Sequence, residues 1–107
     1  MKVVKGIVPR ELASRDVEEA IDHCLIEATA KVALGFVDEL ETAYAHIARH
    51  PASGSPRYAH QLGPADLRFW PLGRCPYLVF YVERDDHIDV WRMLHEQRDI
   101  PAWMNES

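Results

Sequence analysis

Two runs near the C-terminal end constrain this chain more than any other feature. Residues 76–83 and 87–94 are crowded with aromatic and β-branched side chains (Tyr77, Val79, Phe80, Tyr81 and Val82; Ile88, Val90 and Trp91), and only Arg84-Asp85-Asp86 separates them. Such residues suit a pleated, half-buried surface, and so short a polar joint closes a tight hairpin. A third run, Leu67-Arg68-Phe69-Trp70-Pro71, leads into them through a turn at Gly73-Arg74. In the last run Trp91 and Met93 alternate against Ile88, Val90, Arg92 and Leu94, so both faces are largely apolar. That pattern predicts a strand covered on each side, by helices on one face and by a partner on the other.

The N-terminal half carries a different period. Val3, Val4, Ile7 and Val8 make a brief strand, and Pro9 then suits the first turn of a helix, where its missing N–H has no partner to lose. Apolar residues recur at Ala13, Val17, Ala20, Ile21, Cys24, Leu25 and Ala28, the spacing of one helical face, with Asp16, Glu18, Glu19 and Asp22 on the other sides. A second stripe runs through Ala33, Phe36, Val37, Leu40, Ala43, Tyr44 and Ile47. Arg49 and His50 suit its C-terminal end, and Pro51 forbids continuation. Between the stripes there is no Gly or Pro. Thr29 as an N-cap gives two helices, and one long bent helix is the competing reading. Residues 52–64, rich in Gly, Pro and Ser, read as a surface loop. The order β-α-α-β-β-β predicts an α+β domain over residues 1–107, with a helical hairpin packed on a small antiparallel sheet.

Bulk properties exclude several classes. With 107 residues and 48% apolar content the chain can bury roughly two-thirds of its unfolded surface without metal or disulfide staples. Cys24 and Cys75 lack CxxC spacing and read as buried or neutral thiols of a reducing cytoplasm. No apolar run approaches the ~20 residues that span a bilayer, and the N-terminus lacks a signal peptide's apolar middle. Net charge is −5, the wrong sign for gripping phosphates by counterion release, so sequence-specific nucleic-acid binding is not expected. Among the histidines, His60, His87 and His95 show no zinc-site spacing. His46 and His50 do, but a helix-terminal dipole explains them without a ligand. No metal or cofactor is expected.

The entry Val8-Pro9-Arg10-Glu11, the ending Ala48-Arg49-His50-Pro51 with Gly54, Leu67-Arg68 at the start of the sheet, Gly73-Arg74 at its turn and Leu94-His95 leading to Arg98-Asp99 stand together in one order. In that order the chain resembles the RelE/ParE toxin superfamily, and its final dozen residues resemble the ParE branch. The resemblance implies the toxin of a type II toxin–antitoxin pair. It would be neutralised by a cognate ParD-like antitoxin in a hetero-oligomer and, when free, would stop growth by poisoning DNA gyrase in the cytoplasm. The alternative within the superfamily is a RelE-type ribonuclease that cuts messenger RNA on the ribosome. A further alternative is a degenerate member that only binds antitoxin.

Residues arbitrate between these readings. Metal-free RNA cleavage needs a base for the 2′-hydroxyl, an acid for the leaving oxygen and cations for the phosphate charge. The superfamily's ribonucleases use sheet lysines and arginines and a tyrosine near the C-terminus. Here every lysine (Lys2, Lys5, Lys31) precedes most of the second helix, and no tyrosine follows Arg98-Asp99. His95 remains as an acid or base. The expectation is therefore a protein-binding toxin and not an enzyme, with Arg92, His95, Arg98, Asp99 and Trp103 as the target-binding, toxicity-determining residues. Trp103, in a short tail stiffened by Pro101, is read as an interface anchor. Leu25, Phe36 and Trp70 are read as antitoxin contacts. The plainer reading of Arg68, Arg84 and Arg92 is that they form exposed ion pairs with Asp66, Asp86 and Asp89.

Overall fold

The computed structural model describes residues 4–59 and 65–104. Val3 of the expected first strand, His60 and the rest of the 60–64 stretch of the expected loop lie outside the described residues. The elements are β1 (Gly6–Pro9), α1 (Glu11–Glu27), α2 (Ala30–Arg49), a 3-10 turn at Pro51–Ser53, β2 (Leu67–Pro71), β3 (Tyr77–Glu83), β4 (His87–His95) and a short α3 (Ile100–Met104). The sheet order is β1-β4-β3-β2. β2, β3 and β4 are antiparallel, as expected, while β1 joins β4 in parallel, Ile7 opposite Ile88.

Pro9 is not in a helix. It ends β1, and α1 begins at Glu11. Arg10 explains why: its N–H continues the ladder to the Val90 carbonyl at 2.8 Å. Alternation then points the Pro9 nitrogen at the outer edge of the sheet, where a missing N–H costs nothing. The two helices are separate. Thr29 Oγ1 accepts the Val32 N–H at 3.2 Å, the expected N-cap. α2 stops at Arg49, with Pro51 opening the turn beyond it.

Two apolar clusters lie on opposite faces of the sheet. Ala13, Ala20, Phe36, Leu40, Ala43 and Ile47 of the helices meet Val79, Tyr81, Ile88, Val90 and Met93 on the first face. On the second, Leu67, Leu78, Phe80, Val82 and Leu94 are covered by Ala59, Ile100 and Met104, with Tyr58, Phe69, Trp91 and Trp103 packed around them. The second face is therefore covered by the chain's own loop and α3, where the sequence suggested a partner. A β-bulge sorts the strand between the faces. Phe80 pairs with Arg92 but Tyr81 with Val90, leaving Trp91 as the extra residue. The bulge shifts the alternation by one, so Met93 joins Ile88 and Val90 and not Trp91.

Buried polar groups tie the layers together. Asp89, on β4, accepts both Arg10 Nε and Nη2 at 3.0 Å, Arg84 Nη2 at 3.1 Å and Trp91 Nε1 at 3.1 Å. Burial alone would raise its pKa, but the hydrogen bonds from Arg10, Arg84 and Trp91 hold it below the usual aspartate value. Arg84 thus pairs with the buried Asp89 and not, as an exposed pair, with Asp86, while Arg68 donates to the Gly54 carbonyl at 2.8 Å and Asp86 pairs with His87 at 2.6 Å. Tyr81, fully buried, donates its hydroxyl to the Pro51 carbonyl at 2.6 Å and accepts the Gly54 N–H at 3.1 Å. Gly54 must be a glycine because a Cβ there would collide with that hydroxyl. Tyr81→Phe should strand both backbone groups and cost about 2–3 kcal/mol. Urea denaturation checks this, and a loss below about 0.5 kcal/mol would mean that water replaces the hydroxyl.

Candidate functional site

A cleft of about 460 Å³ opens between α1 and the segment that leaves β4. One wall is a helical stripe of α1, Asp16, Glu19, Ala20 and His23, spaced at three to four residues so that all four share a face. The other wall is Tyr77 and Met93 of the sheet with His95, Gln97 and Arg98. The backbone past β4 is held in place by the Glu96 N–H on the Pro76 carbonyl at 2.8 Å and the Arg98 N–H on the His95 carbonyl at 3.0 Å.

The donors have defined roles. The Gln97 N–H donates to His95 Nδ1 at 3.1 Å. A backbone amide only donates, so in the neutral ring Nδ1 is the acceptor and Nε2 carries the proton. The imidazole stands edge-on to Tyr77 with ring centres 5.3 Å apart. Tyr77 is raised above the ordinary tyrosine pKa, by burial first and by the Cys24 sulfur second, so its phenol stays protonated at neutral pH. The Arg98 guanidinium lies 4.0 Å from the centre of the Trp103 ring.

Beneath the cleft sits a buried ion pair. Asp16 Oδ2 accepts Arg92 Nε at 2.7 Å and the Met93 N–H at 3.1 Å, and Oδ1 accepts Arg92 Nη2 at 2.8 Å. Arg92 Nη1 donates to the Trp103 carbonyl at 2.8 Å. Asp16 and Arg92 are 9% and 2% exposed, so the pair links α1, β4 and α3 away from water.

The expected toxicity residues thus divide. His95 and Arg98 line the cleft. Arg92 is no surface contact: it is enclosed against Asp16 and supports the cleft from below. Asp99 caps α3, its Oδ1 accepting the Ala102 N–H at 3.4 Å. Trp103 is half-buried, between Arg98 and the second apolar cluster. Of the expected antitoxin contacts, Phe36 is 2% exposed and belongs to the core, because its position on α2 faces the sheet and not the solvent. Leu25 is 51% exposed at the tip of the helical hairpin. Trp70 stacks on His46 at 4.0 Å near the far end of α2, roughly 24 Å along the helix from that tip. The three do not form one surface.

Asp16, Glu19, His23 and Tyr77 were not expected at the site. Asp16, Glu19 and His23 carried a legible signal, a polar stripe at helical spacing, but nothing in the sequence said which strand end it would face. Among the described residues no three His, Cys, Asp or Glu side chains converge as metal ligands, and no helix is long and apolar enough to cross a membrane. The arrangement offers an acceptor on one wall (Glu19) and donors on the other (His95, Tyr77, Arg98), with the Asp16–Arg92 pair beneath.

The fold has a known counterpart. A solved structure of a chromosomal ParDE toxin–antitoxin system from P. aeruginosa superposes with a TM-score of 0.71, covering 86% of this chain and 96% of that one at 16% identity. No curated protein matches the chain by sequence. Residues 7–100 match the family described as ParE toxin of type II toxin-antitoxin system, parDE. That match spans β1 through the start of α3 and takes in the whole cleft, so the chain belongs to the ParE toxin family.

Proposed function

We propose that this chain arrests growth by binding and poisoning DNA gyrase in the cytoplasm, without chemistry of its own, and that a ParD-like antitoxin neutralises it in a hetero-oligomer. The observation that carries the reading is the charge of the cleft. Glu19 faces it, Arg92 is already held by Asp16, and among the described residues Arg98 is the one guanidinium in its lining. The described lysines are elsewhere: Lys5 is on Glu83 at 2.8 Å and Lys31 lies in the first turn of α2. An RNA phosphate placed there would gain the Arg98 cation but meet the Glu19 carboxylate and an Asp16 already neutralised by Arg92, too little for the charge that develops in strand cleavage. A polypeptide segment, by contrast, offers the donors and acceptors that Glu19, His95, Tyr77 and Arg98 complement. For the antitoxin, Leu25 remains a contact candidate alongside Ile26, Val32 and Leu34, exposed by 51, 80, 49 and 66% at the hairpin tip.

The ribonuclease reading keeps one observation in its favour, since His23, Tyr77 and His95 share the cleft and could supply an acid and a base. Incubating the purified chain with gyrase and supercoiled plasmid separates the two. Accumulation of gyrase-cleaved plasmid, with ribosome-bound messenger RNA left intact on induction, is the expected result. Codon-phased cuts abolished by His95→Ala would establish the ribonuclease instead, and neither effect would leave a chain that only binds antitoxin.

A further inference from the structure

Cys24 lies in the last turn of α1 and Cys75 in the turn between β2 and β3. Both are free and half-buried, and both pack against the same apolar cluster. The fold delivers them from two directions. Because α1 and α2 run antiparallel about the joint at Ala28 and Thr29, Cys24 is level with the second turn of α2, which carries Phe36. The Phe36 ring meets Tyr77 edge-on at 5.5 Å. One turn further along α2, Glu39 Oε1 reaches Arg74 Nε at 3.9 Å. Cys75, between Arg74 and Tyr77, is thereby drawn to the same side of α2 as the end of α1. The neighbours of both thiols meet in space, since His23, beside Cys24, and Tyr77, two residues past Cys75, line the same cleft; Cys75 is also raised above its ordinary pKa by burial first, then by Glu39 and by the Cys24 sulfur.

Beyond Cys24 the end of α1 faces solvent. Its last turn has no basic residue, its C-cap Ala28 leaves the helical region at φ −137° and ψ −115°, and residues 25–28 are exposed.

We propose that Cys24 and Cys75 are a modification site, converted by a peroxide into a reversible disulfide that fastens the end of α1 to the β2–β3 turn. The Cys24 sulfur attacks one peroxide oxygen, the O–O bond breaks, and a sulfenic acid and water result. The Cys75 sulfur then displaces the sulfenic oxygen, which leaves as a second water with the Cys75 proton. Two thiols and one hydrogen peroxide become one disulfide and two waters, with both sulfurs oxidised and both oxygens reduced. His23, beside Cys24, and Tyr77, two residues past Cys75, line the cleft, so the bridge fixes one end of its wall. This holds whatever the cleft binds.

The test uses the full reduced chain at low concentration, treated with a small excess of hydrogen peroxide, quenched with an alkylating agent and digested for mass analysis. The expected result is loss of two hydrogens per chain, a linked peptide pair containing Cys24 and Cys75, and full reversal by dithiothreitol. The oxidised chain should melt roughly 5–15 °C higher. Cys24→Ser and Cys75→Ser should each block the linkage, and neither should gain that increment on oxidation. Thiols still open to alkylation after peroxide, oxidation to sulfinic acid without linkage, or linkage only between chains would each overturn the proposal.

Discussion

Asp16→Ala is expected to lower stability by about 3–5 kcal/mol, because it leaves the Arg92 guanidinium buried without its counter-charge. Three hydrogen bonds converge on this carboxylate, from Arg92 Nε, Arg92 Nη2 and the Met93 N–H, at 2.7, 2.8 and 3.1 Å. The Met93 N–H adds to the loss, since it belongs to the backbone just past the β-bulge and would be left without its acceptor. A domain of this size has only about 5–15 kcal/mol in hand, so the loss should appear as a fall in Tm on the order of 15–25 °C. Arg92→Ala should cost a similar amount by stranding Asp16. Replacing both partners with apolar groups of like volume, Asp16→Leu with Arg92→Met, should cost less than either single change. Chemical denaturation of the four proteins checks this. A loss below about 1 kcal/mol for Asp16→Ala would mean that water reaches the guanidinium and the pair behaves as a surface one.

Arg98→Ala should reduce inhibition of gyrase about 30-fold, the equivalent of about 2 kcal/mol of target binding, while changing stability by less than about 1 kcal/mol. The side chain is exposed in the lining of the cleft, and its contact with Trp103 is a cation–π stack of modest strength. Trp103→Ala should behave differently. The indole packs on the second apolar cluster and lies under Arg98, so its removal should reduce stability and inhibition together. Stopping the chain after Asp99 should be the most damaging change, because Ile100 and Met104, 3% and 5% exposed, are core residues of that cluster. The C-terminal segment is thus no dispensable tail that can be cut off to ask whether it binds the target. Paired measurements of Tm and plasmid supercoiling on the point variants decide the matter. Full inhibition by Arg98→Ala would remove the cleft from the target interface, and a collapse in its Tm would make the residue structural.

Local chemistry made much of this fold readable in advance. The helix boundary at Thr29 depends on one hydroxyl and one N–H three residues away, the stop at Pro51 on a missing donor, and the β3–β4 hairpin on two β-rich runs with a short joint. Each is an interaction between near neighbours, so the residues that cause it are adjacent in the sequence. The candidate site was legible in part for the same reason: His95 and Arg98 follow the last strand directly and share one wall. What lay beyond reach depended on residues distant in the chain. Pro9 looked like a helix start because its preference for a fixed φ fits both a first helical turn and an edge strand, and only the pairing of β1 with β4 chose between them. Phe36 looked available to a partner because helical periodicity identifies an apolar face without saying what covers it. Simple alternation puts Met93 on one face with Trp91, and the bulge moves that alternation by one residue. In sequence Asp16 is one acid among several on the polar side of α1, yet Arg92, 76 residues away, makes it the buried anchor beneath the cleft. Periodicity and capping are set by side chains within a few residues of one another. Burial of a charge and the choice of strand partner are set by which surfaces meet when the sheet closes, and that is decided only in three dimensions.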